Sequence, residues 1–304
     1  MDKLIISSSP HIKDKASTNR IMLDVIIALM PTVVLSIYYF SYIASVIIVI
    51  SVVSCVVFEY LFNQITKRKH TENDLSCVVT GLLIGLNMPP VKSSIILVII
   101  GAFIAIVTVK MLFGGIGQNI FNPAAASRVF LTIAFATQMT KYITPFDGMT
   151  SATPLALLHN GEMYSYLEMF LGKTAGSIGE TEAVTLMIGG IYLLIRKVIS
   201  WEIPVTYLGT VALMTFLLGK DPLYHVLAGG LMIGAIFMAT DYTTSPMTRS
   251  GKIIYGICLG IMTASIRLFG AHTEGVAYSI LFMNAITPLI DKFTAKKPFG
   301  RVKA

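Results

Sequence analysis

Two stretches of this 304-residue chain gather residue types that do chemistry. In the first, Asp147-Gly-Met-Thr-Ser-Ala-Thr-Pro-Leu155, the hydroxyls of Thr150, Ser151 and Thr153 follow closely behind an acid. Aliphatic hydroxyls can be esterified, and by itself such a composition forms a Gly/Ser/Thr turn. The second stretch, GGIGQNIFNPAAASR from Gly114 to Arg128, joins small residues to the amides of Asn119 and Asn122. Asn122 followed by Pro123 reads as a helix N-cap and first helical position, so the helix start would offer free N–H groups to a polar ligand. The plainer reading is a capped helix that packs tightly through Ala124, Ala125 and Ala126. Two acids, Asp24 and Asp241, lie in or beside apolar runs, where an ionisable group is costly and points to ion handling. Against that, Asp24 stands four residues from Arg20, the spacing of a helical ion pair, and Asp241 opens a turn-like Thr243-Thr244-Ser245-Pro246.

Other chemistries find no support. Cys55, Cys77 and Cys258 are scattered without CxxC spacing and read as small apolar packing residues, neither disulfide nor iron–sulfur ligands. His11, His70, His159, His225 and His272 are equally dispersed, with no metal-ligand spacing, and no phosphate-binding or dinucleotide fingerprint is complete.

The elements that must position these residues are membrane helices. Mean hydropathy is +0.76 and 55% of residues are hydrophobic. Charged residues make up 13%, against about 25% in a soluble domain. Runs and breakers predict an all-α integral membrane fold with ten spans: 21–40, 42–64, 74–88, 93–113, 120–138, 181–198, 202–218, 222–239, 252–270 and 275–291. Most of the 23 basic residues then fall on one side: Lys3, Lys13, Lys15, Arg20, Lys67, Arg68, Lys69, Lys110, Arg196, Lys197, Arg249, Lys252 and the cluster Lys292 to Lys303. The positive-inside rule makes that side, and both termini, cytoplasmic in a cell inner or plasma membrane. The net charge of +7 is thereby explained, and a nucleic-acid partner gains nothing from it. The first twenty residues lack the apolar centre of a signal peptide, so no cleaved leader is expected.

An internal echo organises the spans. GLLIGLNMPP from Gly81 and GLMIGAIFMATDYTTSP from Gly230 match at Gly81/Gly230, Leu82/Leu231, Ile84/Ile233 and Gly85/Gly234, and NIFNPAAAS from Asn119 is loosely matched by FMNAITPLID from Phe282. Chance recurrence in an apolar chain is one reading. The other is two five-helix repeats of opposite topology, the plan of many transporters. The chain then divides into a cytoplasmic segment 1–20, a first repeat 21–139, an extracytoplasmic loop 140–180, a second repeat 181–291 and a basic cytoplasmic tail 292–304. A channel or transporter of the urea- or ammonium-channel type, without redox role, would share that plan.

The residues resemble a known family, which comprises the D subunit of Rnf complexes and the related B subunit of sodium-pumping NADH:quinone reductases. Asp147 to Leu155 resembles its flavinylation site, and SSPHI near Ser8, IMLDVIIALMP from Ile21, GGIGQNIFNPAAASR and FMATDYTTSP from Phe237 look like further family blocks. The short amino-terminal segment, and Ser151 where the quinone reductases tend to carry Gly, favour the Rnf branch. The resemblance implies FMN joined to Thr153 through a phosphoester, with Asp147, Thr150, Ser151 and Ala152 forming the sequence read by a flavin transferase. It also implies riboflavin held without a covalent bond near the start of the fifth span. Asn119 and Asn122 are its candidate contacts, two amides three residues apart on one helical face. The implied protein passes electrons in a complex that couples ferredoxin oxidation and NAD reduction to Na⁺ or H⁺ translocation. Its partners would be the membrane A and E subunits, the flavinylated G subunit and the cytoplasmic B and C subunits. Asp24 and Asp241 are the ion-coupling candidates.

Overall fold

The computed structural model describes residues 17–68, 71, 74–146, 148–159, 163–270 and 275–295. Asp147, His11, His70, His272, Lys3, Lys13, Lys15, Lys69, Lys296, Lys297, Arg301 and Lys303 lie outside the described residues. Helix α1, Thr18–Thr66, starts at Ser17, whose Oγ accepts from the Arg20 backbone N–H at 3.4 Å. It is two helices in one run, because Ser41, at φ 57° and ψ −148°, breaks it where the first and second predicted spans meet. Each half rises about 35 Å at 1.5 Å per residue, enough for the ~30 Å of hydrocarbon. There follow α2 (Ser76–Leu86), α3 (Ser94–Met111), α4 (Pro123–Ala134) and the short α5 (Ala136–Met139), α6 (Pro154–His159) and α7 (Tyr166–Leu171). The second set is α8 (Ala183–Ile195), α9 (Glu202–Leu217), α10 (Pro222–Leu227), α11 (Leu231–Ile233), α12 (Arg249–Phe269) and α13 (Val276–Thr294). The second half of α3, Ile104–Met111, is π-helical, and α11 continues as a π-helical stretch, Gly234–Met238.

Among the described residues α1, α3 and α12 are long and apolar enough to cross a membrane. No strand forms among them beyond isolated bridges from Ile143 to Thr150 and to Gly176, so the all-α class holds. The outward faces are apolar: α1 leaves Leu23, Ile27, Val34 and Tyr38 exposed, as expected where the neighbour is lipid. Small residues set the closest contacts. A Cβ on Gly81 would lie 2.7 Å from the Cα of Val52, and one on Gly85 would lie 3.1 Å from the Cα of Ile48, so α2 lies directly on the second half of α1. Gly230 and Gly234, their counterparts in the sequence echo, instead meet Glu180 and Val276.

The helices α2, α4 and α8, of 11, 12 and 13 residues, are too short to cross the bilayer. Residues 174–182, which lead into α8, are buried throughout. Ile178 and Gly179 donate their backbone N–H groups to the carbonyls of Met88 and Leu86, at 2.9 and 2.7 Å. Arg128 of α4 ties the junction: its guanidinium donates to the carbonyl and side-chain oxygens of Asn87 and to Ser177 Oγ, and pairs with Glu180 at 2.7 Å. Across the fold, Asn284 of α13 accepts from the Asn122 backbone N–H at 3.1 Å and donates to Thr244 O and Tyr255 Oη.

Removing one partner of a buried ion pair strands the other charge. Arg128→Ala should therefore destabilise by about 3 kcal/mol or more, read as a lower thermal midpoint in detergent, and adding Glu180→Ala should recover part of the loss. An Arg128→Ala midpoint equal to wild type would show that this junction does not hold the fold.

Candidate functional site

Thr153 stands where the loop preceding α6 turns into that helix. Pro154 supplies the first helical position. Thr153 Oγ1 accepts from the Ala156 N–H at 3.4 Å, and its carbonyl from Leu157 N–H at 2.9 Å, so the threonine is a helix cap. The helix is fastened by Leu155, buried against Met169, Tyr224 and Ala228, and by Tyr224 Oη, which donates to the Pro154 carbonyl at 3.0 Å. Thr153 itself is 9% exposed and borders a narrow cleft of about 10 Å³ with Thr174, Gly176, Glu180, Thr181 and Gly229. Thr181 Oγ1, buried in that wall, has no hydrogen-bond partner. Thr150 and Ser151 lie in the strap before it: Thr150 bridges Ile143, Ser151 donates its N–H to the Tyr142 carbonyl, and Ala152 is half-buried. The cleft suits a phosphate at its mouth, with a spare hydroxyl to meet it, and is far too small for an isoalloxazine ring.

The second site is a cavity of about 280 Å³ walled by α1, α2, α3, α4, α8 and α11. That volume is near the ~300 Å³ at which ligand pockets begin. Asn119, Asn122, Lys110, Phe237, Thr240 and Asp241 are among its lining residues. Asn122 is the predicted cap, its Oδ1 accepting from Ala125 N–H at 3.1 Å, while its Nδ2 donates to the Met238 carbonyl at 3.1 Å. The shared helical face expected for the two amides does not exist. The helix begins at Pro123, and Asn119 belongs to the preceding loop, bonded to the Phe121 carbonyl at 3.0 Å. Proline at the first helical position fixes that start, and the cavity wall brings the amides together instead.

The ion-coupling candidates part company. Asp241 lines the cavity and also organises its own turn, accepting from the hydroxyls of Thr243 at 3.0 Å and Thr244 at 3.3 Å. Asp24 does not pair with Arg20. It is held from α8 by Arg196 at 3.2 Å and Tyr192 Oη at 2.9 Å, because its face of α1 packs on α8 rather than facing water. Lys110, counted among the cytoplasmic loop cations, is 3% exposed inside α3. It pairs with Glu59 at 2.6 Å and donates to Ser76 Oγ at 2.6 Å. Arg267, which the span order places near the opposite side, is buried in α12 and donates to the carbonyls of His225 and Ala228. Sequence reasoning misses Glu59, Lys110 and Glu180 as site residues. The signal is present, since each is a charge set in an apolar or small-residue run, the same argument that singles out Asp24 and Asp241.

Comparison with known proteins bears on both sites. A family model described as the NQR2, RnfD, RnfE family matches residues 5–300. The chain belongs to that family. It is 46% identical, over 99% of its length and 96% of the relative's, to the D subunit of the Na(+)-translocating ferredoxin:NAD(+) oxidoreductase complex of Acetobacterium woodii. The D subunit of the proton-translocating ferredoxin:NAD(+) oxidoreductase complex of Clostridium ljungdahlii is 43% identical over 97% of this chain and 96% of its own. The D subunit of the ion-translocating oxidoreductase complex of Stutzerimonas stutzeri is 36% identical over 94% and 93%.

The loop bearing Thr153 rests on α10 through one further contact outside the spans. Tyr166 Oη donates to Asp221 Oδ2, and Asp221 also accepts from the Tyr224 N–H at 3.1 Å. The tyrosine hydroxyl holds the Asp221 carboxyl below its ordinary range, and the same bond pushes the tyrosine up. A depressed carboxylate stabilises above its unfolded value and loses that contribution as pH falls through the folded one. Limited proteolysis of residues 163–173 should therefore accelerate in acid, below the usual carboxylate range of about 3.9. Tyr166→Phe should show the faster cleavage already at neutral pH; equal rates would leave the contact without a docking role.

Proposed function

We propose that this chain is the D subunit of an ion-translocating ferredoxin:NAD oxidoreductase complex. It is read as ten membrane spans in two inverted five-helix repeats, with both termini cytoplasmic and residues 140–180 outside. The packing of α4 on α13 through Asn122 and Asn284, which lie in the two segments of the looser sequence echo, supports the repeats. So does the contact of α1 with α8, the opening helices of the two halves.

Thr153 carries FMN through a phosphoester, and the cavity beside Asn119 and Asn122 holds riboflavin. The observation that carries the first assignment is that Thr153 borders a cleft too small for a ring whose lining also includes Thr181, with its partnerless hydroxyl. Such a hydroxyl can donate to a phosphate oxygen. Bound flavins supply one- and two-electron transfer, while the chain positions them and shapes their surroundings. Thr153 fixes one end of the group, and the docking of α6 on Tyr224 holds that end in place. In the cavity the second hydrogen of Asn122 Nδ2 and the amide of Asn119 are suited to a ring edge or ribityl hydroxyls, and Phe237 and Ile236 supply apolar wall against a ring face. The A, E, G, B and C subunits, and a flavin transferase for maturation, are the proposed partners.

Expression with the cognate flavin transferase should give a band that fluoresces on a denaturing gel under ultraviolet light, dark in Thr153→Val. A dark wild-type band beside a fluorescent control protein made by the same transferase would remove the covalent assignment and bring the plain-channel reading forward. For the cavity, Asn122→Ser keeps a capping oxygen but loses the amide, so the helix should survive while riboflavin extracted from the purified protein falls several-fold. Unchanged riboflavin would displace the site.

A further inference from the structure

Glu182 is the buried acid to which neither flavin site gives a task. It caps the start of α8, is 0% exposed, and among the described residues no Lys, Arg or His stands within ion-pair distance of it. Its Oε2 accepts from Thr185 Oγ1 at 3.1 Å, the Ser36 hydroxyl of α1 also stands against the carboxyl, and Oε1 has no close hydrogen-bond partner. The other buried acids differ: Glu59 has Lys110, Glu180 has Arg128, Asp24 has Arg196 and Glu202 has Arg249. A carboxylate so weakly bonded and with no cation is strongly disfavoured in a dry interior, and such a group neutralises by taking a proton.

The surroundings extend from it along one seam. Asp24, Ala28, Thr32 and Ser36 stand at four-residue spacing on α1 and face α8. Ser36 Oγ donates to the Ile178 carbonyl at 2.8 Å, and Thr32 donates to Thr185 at 3.1 Å, which donates in turn to Glu182. At the far end Asp24 meets Tyr192 and Arg196. Between the two polar ends Ala28 and Gly189 are in tight contact, a Cβ on the glycine lying 2.3 Å from the Ala28 carbonyl oxygen. The other titratable group against Glu182 is Tyr39 of α1, whose hydroxyl is engaged by the Leu171 carbonyl at 2.8 Å, and Gly172 closes the site from the α7 side.

We propose that Glu182 is a proton-binding site inside the membrane, protonated at neutral pH and served by the hydroxyls of Thr185 and Thr32. When the carboxyl gives its proton to Thr185 Oγ1, Thr185 passes its own hydroxyl proton to Thr32 and Thr32 passes its own to a water molecule, so that one O–H bond forms for each that breaks. The Ala28–Gly189 contact is the dry gap that separates this site from Asp24. The inference rests on the membrane reading of the chain and not on either flavin.

The test is infrared difference spectroscopy on the intact membrane complex, purified through this chain in a detergent free of ester groups. At neutral pH a protonated-carboxyl C=O band should be present in wild type, absent in Glu182→Gln and shifted in Thr185→Val, with or without Na⁺. Superimposable wild-type and Glu182→Gln spectra would overturn the proposal. So would a band that appears only when Na⁺ is withdrawn, which would make the site one for a metal cation. Thr185→Val leaves the carboxyl in place, so an unshifted band there overturns the assignment even if the Gln variant fails to assemble.

Discussion

The Arg128–Glu180 pair is the interaction on which the rest depends. Broken helices release backbone groups inside a medium that offers no water, and each such group must find a partner within the protein. At the end of α2 a fixed cation answers this need, accepted at once by the Asn87 carbonyl, by its amide oxygen and by an acid from the connector 174–182. That connector can be buried because its own N–H groups bond to Leu86 and Met88. Glu180 in turn forms part of the cleft at Thr153. The position of the loop bearing Thr153 is thus set from the interior of the bundle.

The two candidate flavin sites are linked by a chain of neighbouring residues. Asn122 of the cavity donates to the Met238 carbonyl, Asn87 approaches Met238 Sδ at 3.9 Å, and Arg128 bridges Asn87 to Glu180 at the Thr153 cleft. The order of these residues in space is unlike their order in the chain, since the path runs from α4 to the stretch after α11, back to α2, and out to the connector before α8.

Much of this is legible in the sequence because its physics is local. Asn122-Pro123 carries its own capping chemistry, and the helices fall in the expected order because apolar runs have no other solution in lipid. The Thr153 stretch is legible only by resemblance, since nothing in Thr-Ser-Ala-Thr distinguishes a modified threonine from a turn. What the sequence hides are pairings across the fold. Lys110 looks like a loop cation because Glu59 lies 51 residues earlier in the chain, and Asp24 matches Arg20 because Arg196 lies 172 residues away. Asn119 falls on an expected helix whose true start is Pro123, because a lone N-cap motif does not exclude helix before it.

Two walls of the large cavity are π-helical, Ile104–Met111 in α3 and Gly234–Met238 after α11. Closing hydrogen bonds one residue further along widens the turn and rotates everything beyond it relative to an ordinary α-helix. In α3 this phase shift turns Lys110 toward Glu59 and Ser76 instead of toward lipid. Deleting one residue from that stretch would restore normal pitch and leave an apolar helix still well suited to the bilayer, yet it would swing the ammonium away and strand the Glu59 carboxylate. The length of α3 is therefore constrained by the angular position of one charge as well as by bilayer thickness.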